Sequence, residues 1–179
     1  MKQRKITRAL IVLMMTVVLV MGAASMSYAV SISTTRYNGG GVVTVYFSNA
    51  VKYNKPSITV KDNIGKSYTT TIGSKNKSSM QFKIGSCKTG KTYKITVSGI
   101  GGSAKCSLKL YSKASAIKMA KAKSGGTNFK KVVASSTTYN KEGVWKVSFN
   151  CKNKGTTYKR TYWISQQTNV VRHSQRSKV

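Results

Sequence analysis

Short runs of alternating apolar and polar residues, separated by turn-forming residues, constrain the fold of this 179-residue chain most strongly. In VVTVYF the alternation places Val43, Val45 and Phe47 on one face of an extended segment. Six such runs lie between residues 42 and 111: 42–47, 57–61, 68–72, 80–84, 91–100 and 104–111. Since a period of two buries one face of each strand, the pattern predicts an antiparallel β-sandwich.

The pattern changes after residue 112. Ser112 is a suitable N-cap for a helix over residues 113–123 (KASAIKMAKAK), which ends at Gly125-Gly126. Three strands are then predicted, at 129–139, 144–151 and 156–165. One helix followed by a three-stranded antiparallel sheet forms a small α+β unit, because the sheet covers the apolar side of the helix.

The first 29 residues have the features of a secretory signal peptide. Basic residues from Lys2 to Arg8 precede an apolar stretch at 9–24, and Ser27 and Ala29 provide the small residues of a cleavage site. The apolar stretch is shorter than the roughly 20 residues that span a membrane, so we expect cleavage near Ala29 and not a retained anchor. The predicted organisation is a signal peptide at 1–29, a sandwich at 30–112, and an α+β unit at 113–179 with a basic C-terminal tail. Export predicts a secreted or cell-wall-associated protein.

Charge is the strongest indication of function. The chain has 32 Lys and Arg residues and two acids, Asp62 and Glu142, and removal of the first 29 residues leaves 28 bases and a net charge of +26. Solubility requires a net charge of only about 2–8, so the excess predicts adhesion to an anionic partner. Candidates are wall teichoic acid, lipid headgroups in peripheral membrane contact, and extracellular DNA. Because the lysines lie in both halves of the chain, we expect adhesion to involve the whole surface and to weaken steeply with salt.

Lysine greatly outnumbers arginine in the segment 30–179, where only four bases are arginine. Lysine is a hydrated point charge, whereas arginine provides the bidentate contacts used to recognise bases. The composition therefore favours a diffuse contact and disfavours sequence-specific reading of nucleic acid.

Catalytic chemistry is disfavoured by the scarcity of suitable residues. Asp62 and Glu142 both fall in predicted turns, and the single histidine, His173, falls in the predicted basic tail. A nucleophile–base pair of Cys151 and His173 would lack a nearby carboxylate to orient the histidine. The cysteines do not have zinc-site spacing, and the glycine runs lack the phosphate-loop pattern. We predict no catalytic residue, no cofactor and no metal.

The three cysteines, Cys87, Cys106 and Cys151, leave at least one thiol unpaired. Export permits disulfides, and Cys87 and Cys106 lie in the same half of the chain, so they are the expected pair. The alternative is that all three are unpaired, small apolar residues.

The C-terminal segment, about 113–174, resembles a PepSY domain. The matching features are the helix AIKMAKAKSGG, the strands GVWKVSF (143–149) and TTYKRTYWIS (156–165), and the ending QQTNVV (166–171). The chain departs from the family at Ser165, where an acid is usual, and at Asn169, where a glycine is usual. Related domains occur in propeptides of thermolysin-like metalloproteases, so the resemblance implies a modulator or inhibitor of secreted peptidases. The resemblance implies that the hairpin 143–163, with Trp145 and Trp163, is the contact region. Alternation separately places the adjacent Tyr162 and Trp163 on opposite sides of one strand, so one side is expected to be exposed or covered by another surface. The candidate partner contacts are Trp145, Tyr158, Arg160, Tyr162 and Trp163.

The N-terminal half is similar to bacterial immunoglobulin-like modules of cell-surface proteins. The similarity lies in VTVYFSNAVKY (43–53), ITVKDNIGKSY (58–68) and KTGKTYKITVSGI (88–100). It implies a fold and a location and not an activity. The leading hypothesis is a secreted, non-catalytic cell-envelope binding protein. A peptidase modulator and a cationic membrane-active protein are alternatives, although no long amphipathic basic helix supports the last.

Overall fold

A computed structural model describes residues 29–179, which form twelve strands and one helix. Apart from Ala29, the predicted signal peptide lies outside the described residues. The elements are β1 Ile32–Gly39, β2 Val42–Phe47, β3 Ser57–Asp62, β4 Ser67–Tyr68, β5 Thr70–Asn76, β6 Ser79–Ile84, β7 Thr92–Ser98, β8 Ser103–Lys109, α1 Lys113–Ser124, β9 Thr127–Tyr139, β10 Glu142–Asn153, β11 Thr156–Ser165 and β12 Val171–Lys178. Within residues 29–179 no helix has the length and apolar character needed to cross a membrane.

The first eight strands form two four-stranded antiparallel sheets, which we call the two-sheet unit. The first sheet has the order β1-β2-β6-β5 and the second has the order β4-β3-β7-β8. Side chains from both sheets, among them Val45, Phe82 and Tyr93, meet in one buried core. For residues 29–179 the prediction of a mainly β fold with one helix is confirmed. These residues form three four-stranded sheets, however, and not a sandwich followed by a three-stranded sheet.

Strand β1 was not predicted from the sequence. Its residues, ISTTRYNG, are mostly polar, and only Tyr37 and Gly39 are fully buried, so no regular alternation marks it. It pairs with β2 through a turn at Gly39-Gly40-Gly41, whose φ angles of 93°, 59° and 83° lie in the left-handed region that glycine adopts readily.

The third sheet has the order β12-β11-β10-β9, so the predicted three-stranded sheet is wrong. The segment expected to be a basic tail is the edge strand β12, which pairs with β11 and places His173 opposite Trp163. Its sequence, VRHSQRSK, contains one apolar residue and gives no period-two signal. The strand forms because the open edge of β11 provides backbone partners, a tertiary effect that the local sequence does not reveal.

Helix α1 begins and ends as predicted, within one residue. Ser112 caps it, since its hydroxyl accepts a hydrogen bond from the Ser115 N–H at 3.2 Å. Gly125 follows the helix with a φ of 60°, the left-handed conformation typical of a helix end. Ala116 and Ala120 are fully buried against the third sheet, where their small side chains allow the helix to pack closely over Phe149. We call α1 and this sheet the helix–sheet unit.

The two units are joined by backbone and side-chain contacts. The Gln167 amide accepts from the Tyr37 N–H at 2.8 Å and donates to the Thr35 carbonyl at 2.9 Å, which imitates strand pairing with β1. Gly143 of β10 lies so close to β1 that a Cβ atom on it would be 2.7 Å from the Gly39 nitrogen. The contact between the units therefore requires glycine at position 143.

All three cysteines are free thiols in the structure, so the expected Cys87–Cys106 disulfide is not formed. Cys87 lies in the loop after β6, beside the hydroxyls of Tyr37 and Tyr93. Cys106 faces inward from β8, opposite Ile95. Burial raises the pKa of Cys106 to about 11, which disfavours the reactive thiolate.

Candidate anion-binding surfaces

The first of the two acids, Asp62, is fully occupied by local contacts. Its carboxylate accepts hydrogen bonds from the backbone N–H groups of Ile64 and Lys66, at 3.1 and 3.0 Å, which close the turn after β3. It also accepts from the Tyr68 hydroxyl at 3.0 Å and from Lys91 Nζ at 2.7 Å. The hydrogen bond from Lys91 holds the pKa of Asp62 at about 2. Asp62 is therefore ionised at neutral pH, and its carboxylate has a structural role.

The second acid, Glu142, is also paired. Arg172 Nε lies 2.7 Å from Glu142 Oε2, and a second nitrogen of the same guanidinium lies 3.1 Å from Oε1. The Ser165 hydroxyl donates to the same carboxylate. Asp62 and Glu142 belong to different units and do not form a carboxylate pair. In the described part of the chain, Lys91 and Arg172 are the only bases paired with an acidic side chain.

A group of lysines lies on the outer side of the second sheet. Alternation along β3, β7 and β8 buries Val60, Ile95 and Leu108 and turns the intervening side chains outward. We call this surface the lysine face, and it comprises Thr59, Lys61, Lys94, Thr96, Lys105, Ser107 and Lys109.

The strand register brings the lysines of this face together. Lys61 is directly opposite Lys94, and Lys105 lies on the strand beyond, diagonal to Lys94. Opposite side chains have Cβ atoms about 5 Å apart and diagonal ones about 7–8 Å apart, and like charges in such positions repel. All three lysines are exposed and line a shallow depression with Thr59, Thr96 and Ser107. This arrangement of ammonium and hydroxyl groups is suited to anionic oxygens.

The outer side of the third sheet carries a second exposed surface, which we call the aromatic face. Tyr139 and His173 stack with ring centres 5.5 Å apart, and Trp163 lies 4.9 Å from His173. Lys146 Nζ lies 5.4 Å from the centre of the Trp163 ring. The adjoining depression is lined with polar residues, among them Thr161 and Lys159.

The five predicted contact residues do not form one surface. Trp145 and Tyr162 are buried, since Trp145 donates its indole N–H to the Tyr111 carbonyl at 3.0 Å and Tyr162 packs against Phe149. Their expected role as contact residues is corrected, because they fill the core between α1 and the sheet. Trp163 belongs to the aromatic face on the other side, as expected from its position next to Tyr162 in a strand.

Tyr158 and Arg160 lie on the helix side of the third sheet. The Arg160 guanidinium is 5.9 Å from the centre of the Tyr158 ring and 3.4 Å from the carbonyl of Ser124, the last residue of α1. Arg176, on the neighbouring strand, stacks on the same ring at 3.5 Å. Arg176 was not among the predicted contact residues, because the sequence around it indicates a basic tail and shows no strand alternation.

Cys151 and His173 are separated by the sheet. Cys151 is buried in the core beneath α1, whereas His173 lies on the aromatic face. No cluster of three or more His, Cys, Asp or Glu side chains with metal-binding geometry occurs in residues 29–179.

In comparisons with known proteins, no protein-family model, curated protein or solved structure matches the chain. The resemblances to PepSY domains and to immunoglobulin-like modules therefore stay predictions.

Proposed function

We propose that the protein is a non-catalytic binding protein of a bacterial cell envelope, exported and held at anionic polymers such as wall teichoic acid. The observation that carries this proposal is the lysine face, where Lys61 and Lys94 stand directly opposite one another on an exposed sheet. No acid lies on this face. A dense polyanion relieves the repulsion between these lysines, which isolated small anions do less effectively.

The spacing of the lysines supports a polymeric ligand. Adjacent strands are about 4.8 Å apart, and charges at physiological salt are screened over about 8 Å. Lys61, Lys94 and Lys105 therefore lie within about one screening length of a neighbour and act together on closely spaced negative charges. Each contact releases condensed counterions, so affinity depends steeply on salt.

The proposal includes the finer description of the fold. The two-sheet unit is assigned as immunoglobulin-like, and the helix–sheet unit as PepSY-like with β12 as an added edge strand. In this arrangement the two-sheet unit provides the lysine face, and the helix–sheet unit provides the aromatic face.

A second candidate function is modulation of a secreted peptidase. The aromatic face favours it, because Trp163 of the PepSY-like hairpin is only half-buried and lies beside Tyr139 and His173. Aromatic side chains are common at the centres of protein interfaces. Inhibition assays against secreted metalloproteases test it, and an absence of effect at micromolar protein would remove it.

The main proposal is tested by measuring retention of the purified protein on purified cell wall over a series of NaCl concentrations. Walls stripped of their anionic polymer serve as the control. Retention should be strong at low salt, decline steeply as salt rises, and be lost on stripped walls. Equal retention at low and high salt, or on stripped walls, would rule out the proposal.

A further inference from the structure

Two arginines form a pair on the helix side of the third sheet. Arg160 of β11 and Arg176 of β12 are directly opposite one another in the strand register. Tyr158, two residues before Arg160, lies on the same side, and Lys178 is directly opposite Tyr158. We call Arg160 and Arg176 the arginine pair.

The Tyr158 ring holds the two guanidinium groups close together. Arg176 Cζ lies 3.5 Å from the ring centre and Arg160 Cζ lies 5.9 Å from it. A guanidinium that stacks on a ring uses its flat face, which leaves its N–H groups free to donate in its own plane. Arg176 is exposed, so these donors are accessible to a ligand.

The hydrogen bonds of Arg160 are incompletely satisfied. One terminal nitrogen reaches the Ser124 carbonyl at 3.4 Å, at the limit of a hydrogen bond, and its Nε is buried without a protein partner. The other two arginines of residues 29–179 have side-chain acceptors: Arg172 binds Glu142, and Arg36 donates to the Asn38 amide oxygen at 3.2 Å. Like charges directly opposite one another repel, and no carboxylate in this part of the chain lies beside the arginine pair to compensate for this repulsion.

We propose that the arginine pair is a binding site for an oxyanion, namely the phosphate group of a phosphodiester polymer. This inference rests on the proposed function and specifies the chemistry of its ligand. A phosphate offers several oxygens to two guanidinium forks, and guanidinium–phosphate hydrogen bonds are short, directional and strong. The lysines of the lysine face contribute point charges, whereas the arginine pair recognises the shape of the phosphate group.

The test is a titration followed by NMR of the arginine Nε–H signals. The purified protein is titrated with inorganic phosphate, and separately with acetate, at an ionic strength held constant with NaCl. Phosphate should shift the Arg160 and Arg176 signals saturably, and acetate should shift them more weakly. Arg176→Lys keeps the charge but loses the fork, so it should weaken phosphate binding about tenfold, the equivalent of one charged hydrogen bond. Arg36→Lys makes the same charge-preserving change on the two-sheet unit, outside the proposed binding surfaces, so it is the matched control and should bind phosphate as the wild type does.

Three results would overturn the inference: no saturable shift with phosphate, equal shifts with phosphate and acetate, or unchanged binding in Arg176→Lys. Arg176 is exposed, so we expect Arg176→Lys to stay folded, and the amide spectrum of the variant checks this. Failure of the proposed function is a different outcome. In that case cell-wall retention is insensitive to salt while phosphate still shifts the two arginine signals.

Discussion

At the scale of single residues, Asp62 shows how a strongly basic chain uses a scarce acid. Its buried carboxylate receives two backbone N–H groups, the Tyr68 hydroxyl and the Lys91 ammonium group. These contacts link the turn after β3 to the beginning of β7. A carboxylate with this many donors is stabilised in its charged form, which is why its pKa is low.

Replacing Asp62 with Asn is expected to lower the free energy of unfolding at pH 7. Asn can still accept from the backbone, but the ion pair with Lys91 is lost. The folded-state pKa of about 2 lies below the ordinary value of 3.8, so the carboxylate stabilises the protein above pH 3.8 and this contribution disappears as pH falls towards 2. The urea unfolding midpoints of Asp62→Asn and the wild type, measured between pH 7 and pH 2, should differ at neutral pH and converge in acid.

The partly exposed Glu142–Arg172 pair provides the control for this experiment. Glu142→Gln should change stability much less than Asp62→Asn, because partly solvated ion pairs contribute little. A gap between Asp62→Asn and the wild type that stays constant down to pH 2 would contradict the account.

At the scale of elements, local sequence patterns predict those strands and helices whose formation the local sequence determines. Strands β2, β3, β6, β7 and β8 and helix α1 follow from alternation, turn residues and the Ser112 cap. The single strand expected at 68–72 is wrong, because this segment contains the end of β4 and the start of β5, which belong to different sheets. Strands β1 and β12 could not be predicted, because each is a mostly polar edge strand that forms by pairing with a stronger neighbour. The lysine face was only partly predictable. Alternation predicts which lysines point outward, but the positions of Lys61 and Lys94 opposite one another depend on register.

The N-cap of α1 is tested by Ser112→Ala. Loss of the hydroxyl that accepts from Ser115 N–H should destabilise the protein by about 1 kcal/mol. Ser112→Asn, which keeps a capping oxygen, should restore most of this stability. Chemical denaturation measures both variants, and equal stability of Ser112→Ala and the wild type would exclude the cap as a contributor.

The pairing of β12 with β11 is tested by hydrogen exchange. Backbone amides of residues 171–178 that donate to β11 should exchange slowly, in alternation with those that face solvent, as in an antiparallel edge strand. Uniformly fast exchange across this segment would indicate the unstructured basic tail that the sequence suggested.

At the scale of the whole molecule, the two units are packed against each other at Gly143. Its absent side chain allows β10 to approach Gly39 and the Tyr37 ring, both within 2.8 Å of where a Cβ would lie. The Gln167 amide then bonds the backbone of β1 beside this contact. The orientation of the lysine face relative to the arginine pair thus depends on a few close contacts.

Gly143→Ala is expected to destabilise the molecule by about 1–3 kcal/mol, because the methyl group forces the backbones of β1 and β10 apart. Gly155→Ala serves as a control: its site is open, although its φ of 80° carries a backbone penalty of about 1–2 kcal/mol. Thermal unfolding compares the two, and a smaller loss in Gly143→Ala than in Gly155→Ala would contradict close packing between the units.

The most direct test of the central claim compares two triple variants that remove the same charge. Lys61→Gln/Lys94→Gln/Lys105→Gln changes the lysine face, and Lys52→Gln/Lys77→Gln/Lys113→Gln removes three exposed lysines elsewhere. The measurement is the slope of log affinity against log salt for teichoic-acid-bearing wall. We predict that the lysine-face variant binds more weakly and has a distinctly shallower slope than the control variant, because it has lost specific counterion-releasing contacts. Equal losses in the two variants would contradict the account, since they would make net charge, and not the lysine face, the cause of binding.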